Sequence, residues 1–415
     1  MTPTIEVWTE ISDVQVPVGT ARFSMRRGRL SSTFVYQPAY VALDGAYAIQ
    51  PDMPLRLTTY HAQGLPGALR DSAPDRWGRH IVLREHQALA ARDGVAPRAL
   101  DDVDYLLGVS DESRQGSLRF RTPGDSQYLS AAGTVPPVVQ LPRLLSASRA
   151  AERDATSLAA LKELLDAGSG SLGGARPKAS VLADGELYLA KFPHHGDGWD
   201  VMAWEKTALD LAACAGISVP ARRLVRIGDA NCLLVRRFDR EGGLVRGHRL
   251  AYLSGMSVTG TSDGERGDYA VLGEAMESLT SKVSTQLESL FQRVLFSIAI
   301  HNVDDHLRNC GFLRINGSWE LSPLFDVSPE PSLARERATA IFGEVGSGEV
   351  QGARDLAAAL GISAQKARQC ASRICHAVSQ WRPVARKNGC REREMQLFEP
   401  VFADRLDALG KTFGP

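Results

Sequence analysis

The sequence predicts an α+β fold in which a β-rich first half is followed by a helix-rich second half. Three observations carry that expectation. Ile5-Glu6-Val7-Trp8 and Ala21-Arg22-Phe23-Ser24-Met25 alternate apolar and polar residues with the period of two that a half-buried strand requires. Asp184-Gly185 stands between two β-rich runs, Ala179 to Ala183 and Glu186 to Phe192. That pair suits a two-residue hairpin turn, which needs φ > 0 at both positions. From Ser284 to the end, apolar residues recur three and four apart, as on the buried stripe of a helix.

In chain order, Leu55-Arg56-Leu57-Thr58 alternates again and predicts another strand. The segment Asp71 to Arg79 (DSAPDRWGR) punctuates the chain before a helical run from His80 to Arg92, and Gly116 to Phe120 predicts one more strand. Thr122 to Pro142 is rich in Pro, Gly and Ser, as linkers are. A helical stretch, Leu158 to Leu165, precedes a glycine-rich loop, Gly168 to Lys178, which leads into the Asp-Gly hairpin. Val201 to Cys214 has helical spacing, and Cys232 to Val235 reads as a short buried strand. Helices are then expected over Leu287 to His301, Ala353 to Leu360, Ala364 to Trp381 and Glu399 to Leu409. This order divides the chain into domains at 1–125, 140–260 and 261–415.

Composition narrows the function. The chain has 415 residues, with 48 Lys+Arg against 48 Asp+Glu, so its formal net charge is zero. A free-standing nucleic-acid binder normally carries a basic surplus, so that class is disfavoured. No apolar run approaches the roughly 18 residues of a membrane helix, and the start, MTPTIEVWTEISD, has no basic or apolar leader region. Cys214, Cys232, Cys310, Cys370, Cys375 and Cys390 form no CxxC pair and read as reduced thiols of a cytoplasmic protein. Cys370, Cys375, His376 and Cys390 have the wrong spacing for a zinc site, so incidental cysteines on a helix explain them better.

Three segments carry chemistry. Gly168-x-Gly170-x-x-Gly173 fits a phosphate-cradling glycine loop. Alone the pattern is weak, since a surface connection has the same composition. A helix before it and a hairpin after it are the surroundings of the loop that kinases fold over nucleotide phosphates, not of a dinucleotide fold. Lys191 ends the return strand of that hairpin, 18 residues after Gly173, where kinases place the lysine that neutralises phosphates. Glu205, on the next helix, is a candidate to orient it. The third segment, His301 to Asn309 (HNVDDHLRN), packs polar groups behind an apolar helix. Asp304 and Asn309 are five apart, the D-x-x-x-x-N spacing of a kinase catalytic loop, and Asp326 follows 17 residues later in Leu324-Phe325-Asp326-Val327. One Asn and one Asp, with phosphates and water, suffice to hold Mg²⁺, which takes hard oxygen ligands.

Together these motifs resemble the HipA family, the kinase toxins of bacterial type II toxin–antitoxin modules. The matching pieces are Asp71 to Arg79, Ser171 to Lys178 (SLGGARPK), Tyr188 to Lys191, Val235 to Arg240 (VRRFDR), Asp304 to Asn309 and Leu324 to Val327. The resemblance implies a protein-kinase/phosphatidylinositol-kinase-like two-lobed fold. Residues 1–125 would be an extra N-terminal subdomain, 140–260 a β-rich N-lobe and 261–415 an all-α C-lobe. It implies an ATP- and Mg²⁺-dependent protein serine/threonine kinase with Asp304 as catalytic residue and Asn309 and Asp326 as metal ligands. ATP would be bound by Gly170, Ser171, Leu172, Gly173, Gly174, Ala175, Lys191, His306 and Asn309, with Arg236, Arg237 and Phe238 forming the adenine hinge. The family often has an acidic residue where Arg236 stands. Ser171 matches the family's autophosphorylation site, with Ser169 a rival acceptor.

The implied partners are a small helix-turn-helix antitoxin (HipB-like), operator DNA reached through it, and a protein substrate, an aminoacyl-tRNA synthetase in some members. Two other readings are a catalytically weak co-repressor and a small-molecule phosphotransferase. The joint presence of Lys191, Asp304, Asn309 and Asp326 disfavours the first, and the N-terminal subdomain disfavours the second.

Overall fold

The computed structural model describes residues 4–74, 76–130, 135–154, 157–168, 176–243, 247–262 and 264–414. The chain forms two compact units: residues 1–195 with 234–253, and residues 196–233 with 254–415.

Unit 1 opens with an antiparallel sheet of β1 (Thr4–Ile11), β2 (Val14–Arg26), β3 (Arg29–Tyr36), β4 (Thr59–Gln63) and β5 (Arg119–Arg121), in the order β4-β3-β2-β1-β5. Two-residue turns set its register. Ser12-Asp13 and Arg27-Gly28 all have φ between +49° and +74°, the twist that joins tight hairpins. Ile5 and Val7 of β1 and Phe34 and Tyr36 of β3 point inward, as alternation requires. Leu55 to Thr58 is not a strand: β4 begins at Thr59, and Leu57 is exposed. The Gly116–Phe120 strand shrinks to Arg119–Arg121, because Gly116 has φ +77° and gives its N–H to the Asp239 carboxylate. The helix Arg76–Arg92 buries Trp77 and Ile81 against Ala147 and Ala151 of Leu141–Arg153 and Leu161 and Leu164 of Leu158–Asp166. The stretch Thr122 to Pro142 is internal to this unit; its Pro136 carbonyl accepts from the Leu182 N–H.

The Asp-Gly hairpin forms as expected from β6 (Lys178–Ala183) and β7 (Glu186–Lys191), with φ +52° at Asp184 and +78° at Gly185. β8 (Arg222–Ile227) lies in unit 2, and the chain passes between the units within β9 (Ala230–Arg236).

Unit 2 is mainly helical. Its aromatic core gathers on Trp204, fully buried on the helix Val201–Cys214, with Phe398 at 4.0 Å and Trp381 at 6.1 Å between ring centroids. The expected helix Ala364 to Trp381 breaks in two, Ala364–Ser379 and Trp381–Lys387. Pro383 has no N–H, and its ring crowds the carbonyl four residues back, at Ser379. Pro400, by contrast, sits inside Glu392–Phe413, which starts seven residues before the expected Glu399. Buried Met395, Phe398, Val401 and Phe402 lie on both sides of it, and their burial outweighs a proline penalty of about 3 kcal/mol. Residues 261–415 are not all-α: Gly311–Ile315 and Ser318–Leu321 pair as a hairpin. Its turn is Asn316-Gly317, both with positive φ.

Candidate active site

In unit 2 the helix Val283–Ala299 delivers the polar segment. It stops because His301 turns left-handed (φ +51°), while the His301 and Asn302 N–H groups bond back to the Ile298 and Ser297 carbonyls. Beyond it residues 302–306 form neither helix nor strand, and two adjacent aspartates take opposite environments. Asp304 is exposed and Asp305 is buried. Asp305 accepts from Ser297 Oγ at 2.6 Å, Tyr269 OH at 3.0 Å and Arg337 Nη1 at 2.6 Å. Arg337 is fully buried and also bonds Glu349 at 2.7 Å. Burial pushes the Asp305 carboxyl up from its ordinary value, against the pull of Arg337. Asp305 is therefore the pin of this loop, and Asp304 is its exposed neighbour.

A single 3₁₀ turn, Leu307–Asn309, then bends the chain back. The Asn309 side-chain nitrogen donates to the Asp304 carbonyl at 3.2 Å, leaving its amide oxygen as the atom that can ligate. Asp326 has φ +54°, a strained backbone for a residue with a side chain. Just before it, the Leu324 N–H is fixed to the Ser218 carbonyl, and just after it Ser328 N–H reaches Asn302 Oδ1 at 3.5 Å. His306, Asn309 and Asp326 line one cavity, together with Tyr269, Asn302 and Asp305. The structure thus brings three predicted residues together and holds Asp304 to Asn309 through the backbone. Such a cavity can hold a hard cation between an amide and a carboxylate oxygen. Beside it, burial pushes the Cys310 thiol up to about 11, which makes it a poor nucleophile.

In unit 1, Lys191 ends β7, and its cross-strand partner is Lys178; both side chains are buried. Like charges directly opposite each other across a hairpin are unfavourable by themselves. Gly170, Ser171, Leu172, Gly173, Gly174 and Ala175, with Ser169, lie outside the described residues. Gly168, the first motif glycine, has φ +68°, and a side chain there would collide with Ser113. Glu205 is buried on the helix Val201–Cys214, in unit 2.

The hinge triplet divides by role. Arg236 is exposed and pairs with Glu186 at 3.1 Å, and Phe238 is half-buried. The Arg237 N–H is committed to the Leu187 carbonyl. Its guanidinium is buried on Asp239 at 2.6 and 2.7 Å and on the Ser113 carbonyl at 3.0 Å. Burial alone would raise the Asp239 carboxyl, but Arg237 and Arg240 outweigh it and hold it well below the usual range. The VRRFDR motif therefore ties the strand end to Ser113 to Gly116. Sequence reasoning missed Tyr269 and Arg337, whose sequence neighbourhoods carry no motif, gave Asn302 no role although it lies within HNVDDHLRN, and set Asp305 beside Asp304 without separating their roles.

The sequence matches two family models, the HipA N-terminal domain over residues 10–112 and the HipA-like C-terminal domain over residues 170–382. No curated protein matches it. Among solved structures, HipA of Shewanella oneidensis MR-1, in a toxin–antitoxin complex with HipB and operator DNA, superimposes with a TM-score of 0.69 at 16% identity, covering 98% of this chain and 97% of that one. The Helicobacter pylori proinflammatory kinase CtkA (TM-score 0.37, 13% identity, 57% of this chain and 93% of that one) and the choline kinase LicA of Streptococcus pneumoniae (0.23, 13%, 58% and 91%) lie too far to bear on the fold. With the C-terminal model alone spanning half of its length, the chain belongs to the HipA family.

Proposed function

We propose that this protein is an ATP- and Mg²⁺-dependent protein serine/threonine kinase that acts as the toxin of a toxin–antitoxin module. The carrying observation is the loop in which Asn309 bonds the Asp304 backbone while Asn309 and Asp326 line one cavity. Asn309 and Asp326 supply hard oxygen donors, the set Mg²⁺ prefers, so these residues fit the cation. Bound there, Mg²⁺ would neutralise charge on the transferring phosphoryl group. Asp304, exposed at the loop's end, accepts the proton of the incoming hydroxyl. Lys191 neutralises nucleotide phosphates, and Ser171 is the proposed autophosphorylation site. The family supports a small HipB-like antitoxin as partner, with operator DNA beyond it, and a cellular protein such as an aminoacyl-tRNA synthetase as substrate.

Phosphoryl transfer relies on positioning and charge, so Asp304→Asn should lower the rate by about 10²–10⁴-fold. Labelled-ATP transfer by the purified chain measures this, with circular dichroism as the folding control. Full autophosphorylation in the folded variant removes Asp304 from the reaction.

A further inference from the structure

A second set of ligating side chains lies in unit 1, on residues with no part in the reaction proposed above. Glu152 occupies the last turn of the helix Leu141–Arg153, and its side chain is 7% exposed. One carboxylate oxygen, Oε2, lies 3.2 Å from His195 Nδ1 and accepts from the His195 backbone N–H at 3.4 Å. The other, Oε1, is buried with no hydrogen-bond partner among the described residues. A carboxylate there also faces the negative end of the helix dipole, so its own helix does nothing to offset its charge. A buried carboxylate in that position favours a cation. His194 and His195 follow β7 with their rings 4.4 Å apart, and one ligand atom from each of Glu152, His194 and His195 lies within 4.8 Å of the others.

We propose that Glu152, His194 and His195 form a site for a divalent transition-metal ion of the zinc type. Two imidazole nitrogens and one carboxylate oxygen suit zinc, with a further position left for solvent. Mg²⁺ and Ca²⁺ prefer all-oxygen sets, and the lack of thiolate argues against Cu(I). Bonds of about 2.0–2.1 Å would require the three donors to draw together by roughly an ångström. His195, 75% exposed at its side chain, has room for that adjustment. The ion would tie the helix end to the segment that begins three residues after Lys191.

The test titrates the metal-free, full-length chain with Zn²⁺ by calorimetry and with Co²⁺ by absorption, both without nucleotide. One ion per chain is expected, with a cobalt d–d spectrum and no thiolate charge-transfer band. Affinity should fall by at least ~10-fold in Glu152→Gln, in His194→Gln and in the surface variant His195→Ala. It should persist in Asp326→Ala, which separates this site from the nucleotide cation, and in His248→Ala, which separates it from the exposed Glu10, Asp13 and His248 cluster. No binding, a thiolate band, or unchanged affinity in the three ligand variants would overturn the proposal.

Discussion

Asp304 and Asp305 show how one step along the backbone separates an exposed carboxylate from a buried, structural one. Asp305 is buried among Ser297, Tyr269 and Arg337, so removing its charge leaves a buried guanidinium partly uncompensated. Asp305→Asn should destabilise the fold by about 3 kcal/mol, the low end for a broken buried pair because Glu349 still holds Arg337. Urea denaturation reads this, and a neutral result would remove the pin. His301 gives a pH dependence. Burial pushes its imidazole below the ordinary 6.5, so the folded state favours the neutral ring. That contribution is fully present above about pH 6.5 and is lost as pH falls through the folded value, because the unfolded chain then binds more protons. His301→Asn tolerates the left-handed backbone and cannot titrate; its melting temperature should fall less than the wild type's between about pH 7.5 and 5.5. Asp326 links strain to function. Asp326→Gly relieves the φ of +54° that Asp326→Ala keeps, so the glycine variant should be more stable by about 1–2 kcal/mol in denaturant titration.

At the scale of elements, a two-residue turn is legible where a favoured pair stands between two clear β-rich runs. Asp184-Gly185 was read correctly. Asn316-Gly317 carries the same signal, yet its hairpin escaped notice because the flanking strands are short and sit in helical surroundings. β3 was missed too, since Ser31, Ser32 and Thr33 blur its alternation. Strand ends and helix breaks depended on single partners: Gly116 on Asp239, and the break at Ser379 on Pro383. Gly185→Ala tests the hairpin that carries Lys191. With φ +78° at that position, it should cost about 1–2 kcal/mol, seen as a lower urea midpoint at unchanged slope.

For the whole molecule, a ligand that binds only the folded chain stabilises it by mass action. ATP with Mg²⁺ at about 100 times its dissociation constant should add about 2.7 kcal/mol. Chelating Mg²⁺ or making Asp326→Ala should remove most of that gain, measured by thermal melts with and without nucleotide; a gain independent of Mg²⁺ would place the metal elsewhere. The α+β order, the Asp-Gly hairpin, the Asp304 to Asn309 spacing and the family were all determined by sequence, because each rests on local periodicity or on residues close along the chain. Tertiary structure alone decided which of two adjacent aspartates is buried, that the Arg237 guanidinium ties a strand end to the Ser113 carbonyl, and that Val201–Cys214 packs with the C-terminal helices around Trp204. Those outcomes depend on partners tens to hundreds of residues away, such as Arg337, Ser113 and Phe398, and no local pattern encodes who will meet whom in a packed core.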